Sequence, residues 1–253
     1  MGSCMGLDTL AKYGRGEDMK KAMIILSVVL NVFLLAALYY VACEKTDFSK
    51  RVMAKIKHEA YVPERQDGCC VDSWNNCISK LDMAVDVVFF GDSHTAYGDW
   101  QHVYPDVKSI NLGYIGEDVK GMLRRVEAIA AVHPKKVFLM AGINGLQQQS
   151  LSDFEYWYSA LVDAIQRDVP DAELYIESIL PVTGYSDYCD NAKIREANVI
   201  VRKIAEERGL TYVDIYGAYA KDGALPNAMS YDGLHLTNEA YSIWYTEIKS
   251  YVK

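Results

Sequence analysis

A chain of 253 residues, 51% hydrophobic and 24% charged, is long enough to bury one sizeable core with length left over for an anchor and a linker. A formal net charge of −8 and the lack of any basic stripe argue against nucleic acid as a partner, because nothing displaces counterions from phosphates. No internal repeat or low-complexity tract divides the chain.

Residues 1–21 are a short N-terminal flank, and residues 22–43 form the first distinctive segment. Between Ala22 and Cys43 there is no charged side chain, and only Ser27 and Asn31 are clearly polar. As a helix this run would be about 33 Å long, enough to cross a bilayer core. Lys20 and Lys21 precede it, and Tyr39 and Tyr40 stand where an interfacial aromatic pair belongs. No face of it is polar, as a half-buried helix of a soluble core would require. It is therefore expected to be a transmembrane or signal-anchor helix. Met19-Lys20-Lys21 before an apolar run also resembles a secretory signal, but the run exceeds the usual core of about 7–15 residues, which favours a retained anchor. Val41-Ala42-Cys43 resembles the end of a lipoprotein signal, with Tyr40 where leucine is usual. Met1-Gly2-Ser3-Cys4 hints at acylation, yet Gly6 stands where that pattern wants serine or threonine. Basic residues flank the span on both sides, and the lysine pair at its start tips the orientation toward N-terminus inside. The rest of the chain is then extracytoplasmic, in a periplasm or at a cell surface.

Residues 44–80 are polar and charged and are expected to form a stalk or linker. Cys69, Cys70, Cys77 and Cys189 lie beyond the apolar span, so export would permit two disulfides in any of three pairings; free thiols are the alternative. There is no Cys-x-x-Cys pair, so no zinc site is expected.

From residue 81 to the C-terminus the pattern is regular. Val85 to Phe90 is a continuous apolar run, as a parallel strand covered on both faces requires. Further strand-like runs follow at Val107 to Asn111, Lys136 to Met140, Glu173 to Ser178 and Thr211 to Ile215. Helix-period segments lie between and after them, at Asp118 to Ala131, Ser152 to Asp168, Asn191 to Arg208 and Asn238 to Val252. Such alternation predicts a doubly wound α/β sheet of about five parallel strands with ligands at the strand ends.

Four segments at those ends hold the chemistry: Gly91-Asp92-Ser93-His94, Asn111-Leu112-Gly113, Gly142-Ile143-Asn144 and Asp232-Gly233-Leu234-His235. Ser93 follows the first strand directly, which suits a nucleophile, although a serine there also suits a helix cap. His235 is the candidate base, and Asp232, three residues earlier and one turn away if the segment is helical, can hold the other ring N–H. Gly113 lets the backbone approach a substrate closely, and Asn144 offers a neutral amide donor for an oxyanion. Asp92 is expected to structure its turn and point away from the base. Trp100, Trp157, Tyr97 and Tyr114 are available to line a pocket or to fill the core.

These segments resemble blocks I, II, III and V of the SGNH, or GDSL-type, hydrolase superfamily over roughly Val85 to the C-terminus. The resemblance is nearest to platelet-activating-factor acetylhydrolase-like and bacterial acetylesterase-like members. It implies a flavodoxin-like three-layer α/β/α domain with Ser93 as nucleophile, Asp232 and His235 completing a triad, and Ser93, Gly113 and Asn144 as oxyanion donors. His94 falls at the variable fourth place of block I, and Gly145 replaces the aspartate usual after Asn144. The implied activity is cofactor-free hydrolysis of short O-acyl esters, acetyl above all, on a small or carbohydrate substrate. An O-acetyltransferase using the same triad and a non-catalytic glycan-binding module remain alternatives.

Overall fold

The computed structural model describes residues 83–253 together with residues 77, 78 and 80 and, further upstream, Met23, Ser27, Leu30, Asn31 and Leu34. Those five are helical and exposed; the remainder of the predicted span 22–43 lies outside the described residues, as do residues 1–21 and most of the predicted stalk. No helix among the described residues is long and apolar enough to cross a membrane. The chain divides into two units, Met1–Tyr61 and Val62–Lys253, and everything below concerns the second.

Five strands form a single parallel sheet: β1 (Val87–Gly91), β2 (Ser109–Gly113), β3 (Lys136–Met140), β4 (Glu173–Glu177) and β5 (Thr211–Val213), in the order β2-β1-β3-β4-β5. This is the flavodoxin-like order, whose switch point falls between β1 and β3. The helices are α1 (Ser93–Ala96), α2 (Trp100–Val103), α3 (Val119–Leu123), α4 (Val126–Ala130), α5 (Ile143–Leu146), α6 (Leu151–Asp168), α7 (Asn191–Glu207), α8 (Ile215–Tyr219) and α9 (Asn238–Val252).

The continuous apolar strands are explained by burial on both faces. Val87, Phe89, Phe138, Met140 and Tyr175 join Trp100, Tyr219, Tyr241, Trp244, Ile248 and Val252 in one aromatic-rich core beneath α8 and α9. The alternate residues Val88, Phe90, Val137, Leu139, Leu174 and Ile176 are equally buried and serve the other face, as a period of two demands. There α6 packs against α3, α4 and α7. Helices α6, α7 and α9 begin at side-chain caps supplied by Ser150, Asp190 and Thr237.

Two expectations need correction. The single helix predicted from Asp118 to Ala131 is split into α3 and α4 at Arg124 and Arg125. Arg125 turns a fully buried guanidinium inward to pair with Glu117, and its Nη1 donates to the Leu112 carbonyl at 3.1 Å. Cys77 and Cys189 are free thiols, so two disulfides among the four cysteines do not form. Cys69 and Cys70 lie outside the described residues.

Candidate active site

Parallel pairing sets Gly91, Gly113 and Met140 side by side on β1, β2 and β3, so the segments that follow these strands emerge along one rim. Ser93 is the first residue of α1. Asp92 caps that helix, its Oδ1 accepting the N–H of His94 at 2.9 Å. Asp92 thus structures the turn, as expected, and the helix cap is the aspartate and not the serine.

Ser93 Oγ lies 2.9 Å from Nε2 of His235, and Nδ1 of His235 lies 2.7 Å from Oδ2 of Asp232. Three predicted residues therefore meet in one hydrogen-bonded chain. Asp232 reaches the ring without the helical turn that was one way to bring the pair together. Residues 230–235 form a non-helical loop in which Asp232 Oδ1 accepts the backbone N–H of Leu234 and His235 at 2.9 and 2.8 Å. Ser230 Oγ donates to the His235 carbonyl at 2.8 Å and accepts the Gly233 N–H at 2.9 Å. One carboxylate thus shapes the loop with one oxygen and orients the ring with the other. Burial alone would raise the Asp232 carboxyl, but the hydrogen bonds from the His235 ring and from the His235 and Leu234 N–H groups outweigh it and hold it at about 2.

Gly113 and Asn144 stand on either side of β1. A Cβ at position 113 would lie 2.3 Å from the Ala96 nitrogen, so only glycine admits α1 this close to β2. The Gly113 N–H is not left open as expected: Asn111 Oδ1 accepts it at 2.9 Å, while Asn111 Nδ2 donates to the Thr95 carbonyl at 3.0 Å. Asn144 is extended (ψ 128°) and Gly145 is left-handed (φ 82°), a turn that favours glycine. Asn144 Nδ2 donates one N–H to the Glu117 carbonyl at 3.0 Å, which fixes the amide and leaves its second N–H for another acceptor.

Sequence reasoning gave no role to the supports of this rim: His94 and Asn111, which lie inside the marked segments, and Glu117 and Arg125, which do not. Each works through a contact made only after the sheet assembles. Of the aromatics considered, Trp100 and Trp157 are core residues, whereas Tyr97 is half-exposed and meets the His235 ring edge-on at a centroid distance of 5.3 Å. Beside the triad, Gln147, Tyr185, Ser186, Asp187, Tyr188 and Asp232 line a cavity of about 320 Å³. Its wall is tied to the triad loop, since Thr183 N–H donates to the Gly233 carbonyl at 2.9 Å, and to α5 by Gln147 Nε2 donating to the Asp187 carbonyl at 3.2 Å. A cavity of about 380 Å³ lined by Asp86, Val107, Lys136 and Val252 opens at the opposite end of the strands, away from these groups. Among the described residues, no cluster of histidine, cysteine and carboxylate side chains could hold a metal ion.

The sequence matches the model of the GDSL-like lipase/acylhydrolase family over residues 89–243, more than half of the chain. The chain belongs to that family. Among curated proteins no significant match is found. Solved structures similar to this GDSL-like acylhydrolase include a Streptococcus pneumonia protein provisionally described as a platelet activating factor, with 23% identity over 72% of this chain and 90% of that one, at a TM-score of 0.65. A GDSL-like lipase from Bacteroides thetaiotaomicron VPI-5482 has 21% identity, covers 72% of this chain and 96% of its own, and gives a TM-score of 0.61. A catalytic mutant of an acetylxylan esterase from Geobacillus stearothermophilus has 20% identity over 68% of this chain and 96% of its own, at 0.55. At these identities the structural likeness speaks for the fold. Family membership makes this GDSL-like acylhydrolase a serine-dependent ester hydrolase.

Proposed function

We propose that the protein removes short acyl groups, acetyl above all, from hydroxyls of a carbohydrate, with Ser93 as nucleophile. The observation that carries this reading is the unbroken chain Ser93–His235–Asp232 at 2.9 and 2.7 Å. Ser93 Oγ attacks the ester carbonyl as His235 Nε2 takes its proton, and Asp232 holds the ring and stabilises the imidazolium that forms. The oxyanion is met by the Ser93 N–H, which has no acceptor within its own helix, and by the free N–H of Asn144. The Gly113 N–H is a third donor, shared with Asn111 Oδ1. Collapse expels the alcohol, which receives the proton from His235. Water, deprotonated by the same ring, then releases the carboxylic acid from acyl-Ser93. These side chains supply nucleophile, base and charge stabilisation, so the route calls on no cofactor.

Support for a carbohydrate comes from the cavity beside Asp232, where Tyr185 and Tyr188 are 57% and 50% exposed. Flat aromatic faces next to hydrogen-bonding groups suit a sugar ring better than an alkyl chain. Acetylxylan esterases among the structural neighbours are consistent with this. Residues 22–43 would anchor the protein in a membrane and residues 44–80 would form a stalk. The catalytic domain, residues 81–253, would then face the extracytoplasmic side; the uncharged apolar run is what supports this arrangement.

The test is hydrolysis of p-nitrophenyl esters of increasing chain length, followed by a panel of O-acetylated sugars. Acetate is expected to be cleaved fastest among the p-nitrophenyl esters, and at least one acetylated sugar faster still. Transfer of acetyl to an added sugar outpacing hydrolysis would replace the esterase with an O-acetyltransferase. Inertness toward every ester, with glycan binding retained, would make the domain a binding module.

A further inference from the structure

A second histidine–aspartate pair lies beneath the first. His94, next to Ser93, is 1% exposed. Its Nδ1 stands 3.3 Å from Asp92 Oδ1, and its Nε2 stands 3.1 Å from the carbonyl oxygen of Leu234. A carboxylate and a carbonyl have no proton to give, so both ring nitrogens face acceptors. A neutral imidazole carries one N–H and would turn a lone pair toward one of them; only a doubly protonated ring donates to both. The other Asp92 oxygen, Oδ2, is buried without a hydrogen-bond partner among the described residues, which makes the His94 ring the neighbour that offsets the carboxylate's charge.

We infer that His94 is a buried imidazolium, paired with Asp92 and pinned by Nε2–H to the Leu234 carbonyl, and that it positions and tunes the catalytic base. Leu234 immediately precedes His235, so the bond fixes the backbone that aims the base. The two rings lie 5.6 Å apart at their centroids, which puts a fixed positive charge on His94 within close Coulombic reach of the catalytic ring. The groups facing His94 are Asp92 from its own turn, Asp232, Leu234 and His235 from the triad loop, and Tyr241 from α9, whose hydroxyl donates to the His94 carbonyl at 2.7 Å. Burial alone would favour the neutral ring, but the Asp92 carboxylate, the Leu234 carbonyl and Asp232 outweigh it and raise His94 above the ordinary histidine value. The tuning role rests on His235 being the general base; the charge state of His94 does not.

The first measurement is therefore independent of turnover: ring-nitrogen NMR of the ¹⁵N-histidine-labelled full chain at about pH 8, above the ordinary histidine range. Two protonated nitrogens on His94 are expected. A neutral Nε2–H tautomer, with the proton on Asp92, would overturn the inference. The second is the pH profile of His94→Gln, which can keep a donor near Leu234 but removes the positive charge. With Asp92 left uncompensated, the acid limb of kcat/KM is expected to move up by about one pH unit, while KM changes little. His94→Asn, with a shorter reach, should lose more kcat and shift the limb likewise. An acid limb unmoved in both variants would reduce His94 to a packing residue.

Discussion

At position 144 one amide does two things that no single atom could. One N–H of Asn144 is spent on the Glu117 carbonyl, which fixes the side chain, and the other is available to developing charge. Asn144→Ala should lower kcat by about 10²–10³ with little change in KM, because the bond to substrate strengthens only in the transition state. An equal rise in KM with kcat intact would instead mark Asn144 as a ground-state contact. Residue types, spacing and the family resemblance put Ser93, Asp232, His235, Gly113 and Asn144 forward as candidates, and the structure brings the first three within hydrogen-bonding distance of one another. Spacing gave no role to His94, whose two acceptors come from residues two and 140 positions away. Nor could spacing reveal that Asn111 occupies the Gly113 N–H, a contact set by the turn after β2.

Elements were legible where burial dictates pattern. Strand β3 and helix α9 fall where hydrophobic periodicity puts them, and the other strands differ only at their ends. Periodicity failed between 118 and 131, because α3 and α4 share an apolar face and the break is made by a buried arginine that a hydrophobic template reads as a surface residue. It was silent on the triad loop, where side-chain hydrogen bonds from Asp232 and Ser230 replace a regular element. On the proposed function, the segment 183–188 beside the triad would be the part that meets the sugar. Tyr185→Ala and Tyr188→Ala together should raise KM for an acetylated sugar about tenfold or more and leave p-nitrophenyl acetate unaffected, since each ring would cover apolar sugar surface that the small ester does not present. Equal losses on both substrates would place the segment in the scaffold instead.

For the domain as a whole, a buried acid under the sheet links stability to pH. Glu177 on β4 is 2% exposed, and its Oε1 accepts the Trp244 Nε1–H from α9 at 2.6 Å. Burial raises its carboxyl from 4.5 to about 8, with the tryptophan bond opposing only in part. A folded-state value above the unfolded one means the native protein holds an extra proton between them. The stability it contributes is present in full below about 4.5 and is lost progressively as pH rises toward about 8. Glu177→Gln should flatten that decline and raise the thermal midpoint at about pH 9 relative to the parent chain. A parallel pH dependence in both proteins would show Glu177 to be ionised throughout. The two-faced apolar strands made this layered architecture readable in advance. The acid at its centre was not, because Glu177 sits in a strand run whose alternation places it no differently from its exposed neighbour Glu173.

Brief reaction with p-nitrophenyl acetate, acid quenching and peptide mapping by mass spectrometry would test the nucleophile most directly. An acetyl group is expected on Ser93, with Ser93→Ala neither labelled nor active above about 10⁻⁴ of the parent rate. Steady turnover with the acetyl group on another residue, or undiminished hydrolysis by Ser93→Ala, would contradict the assignment.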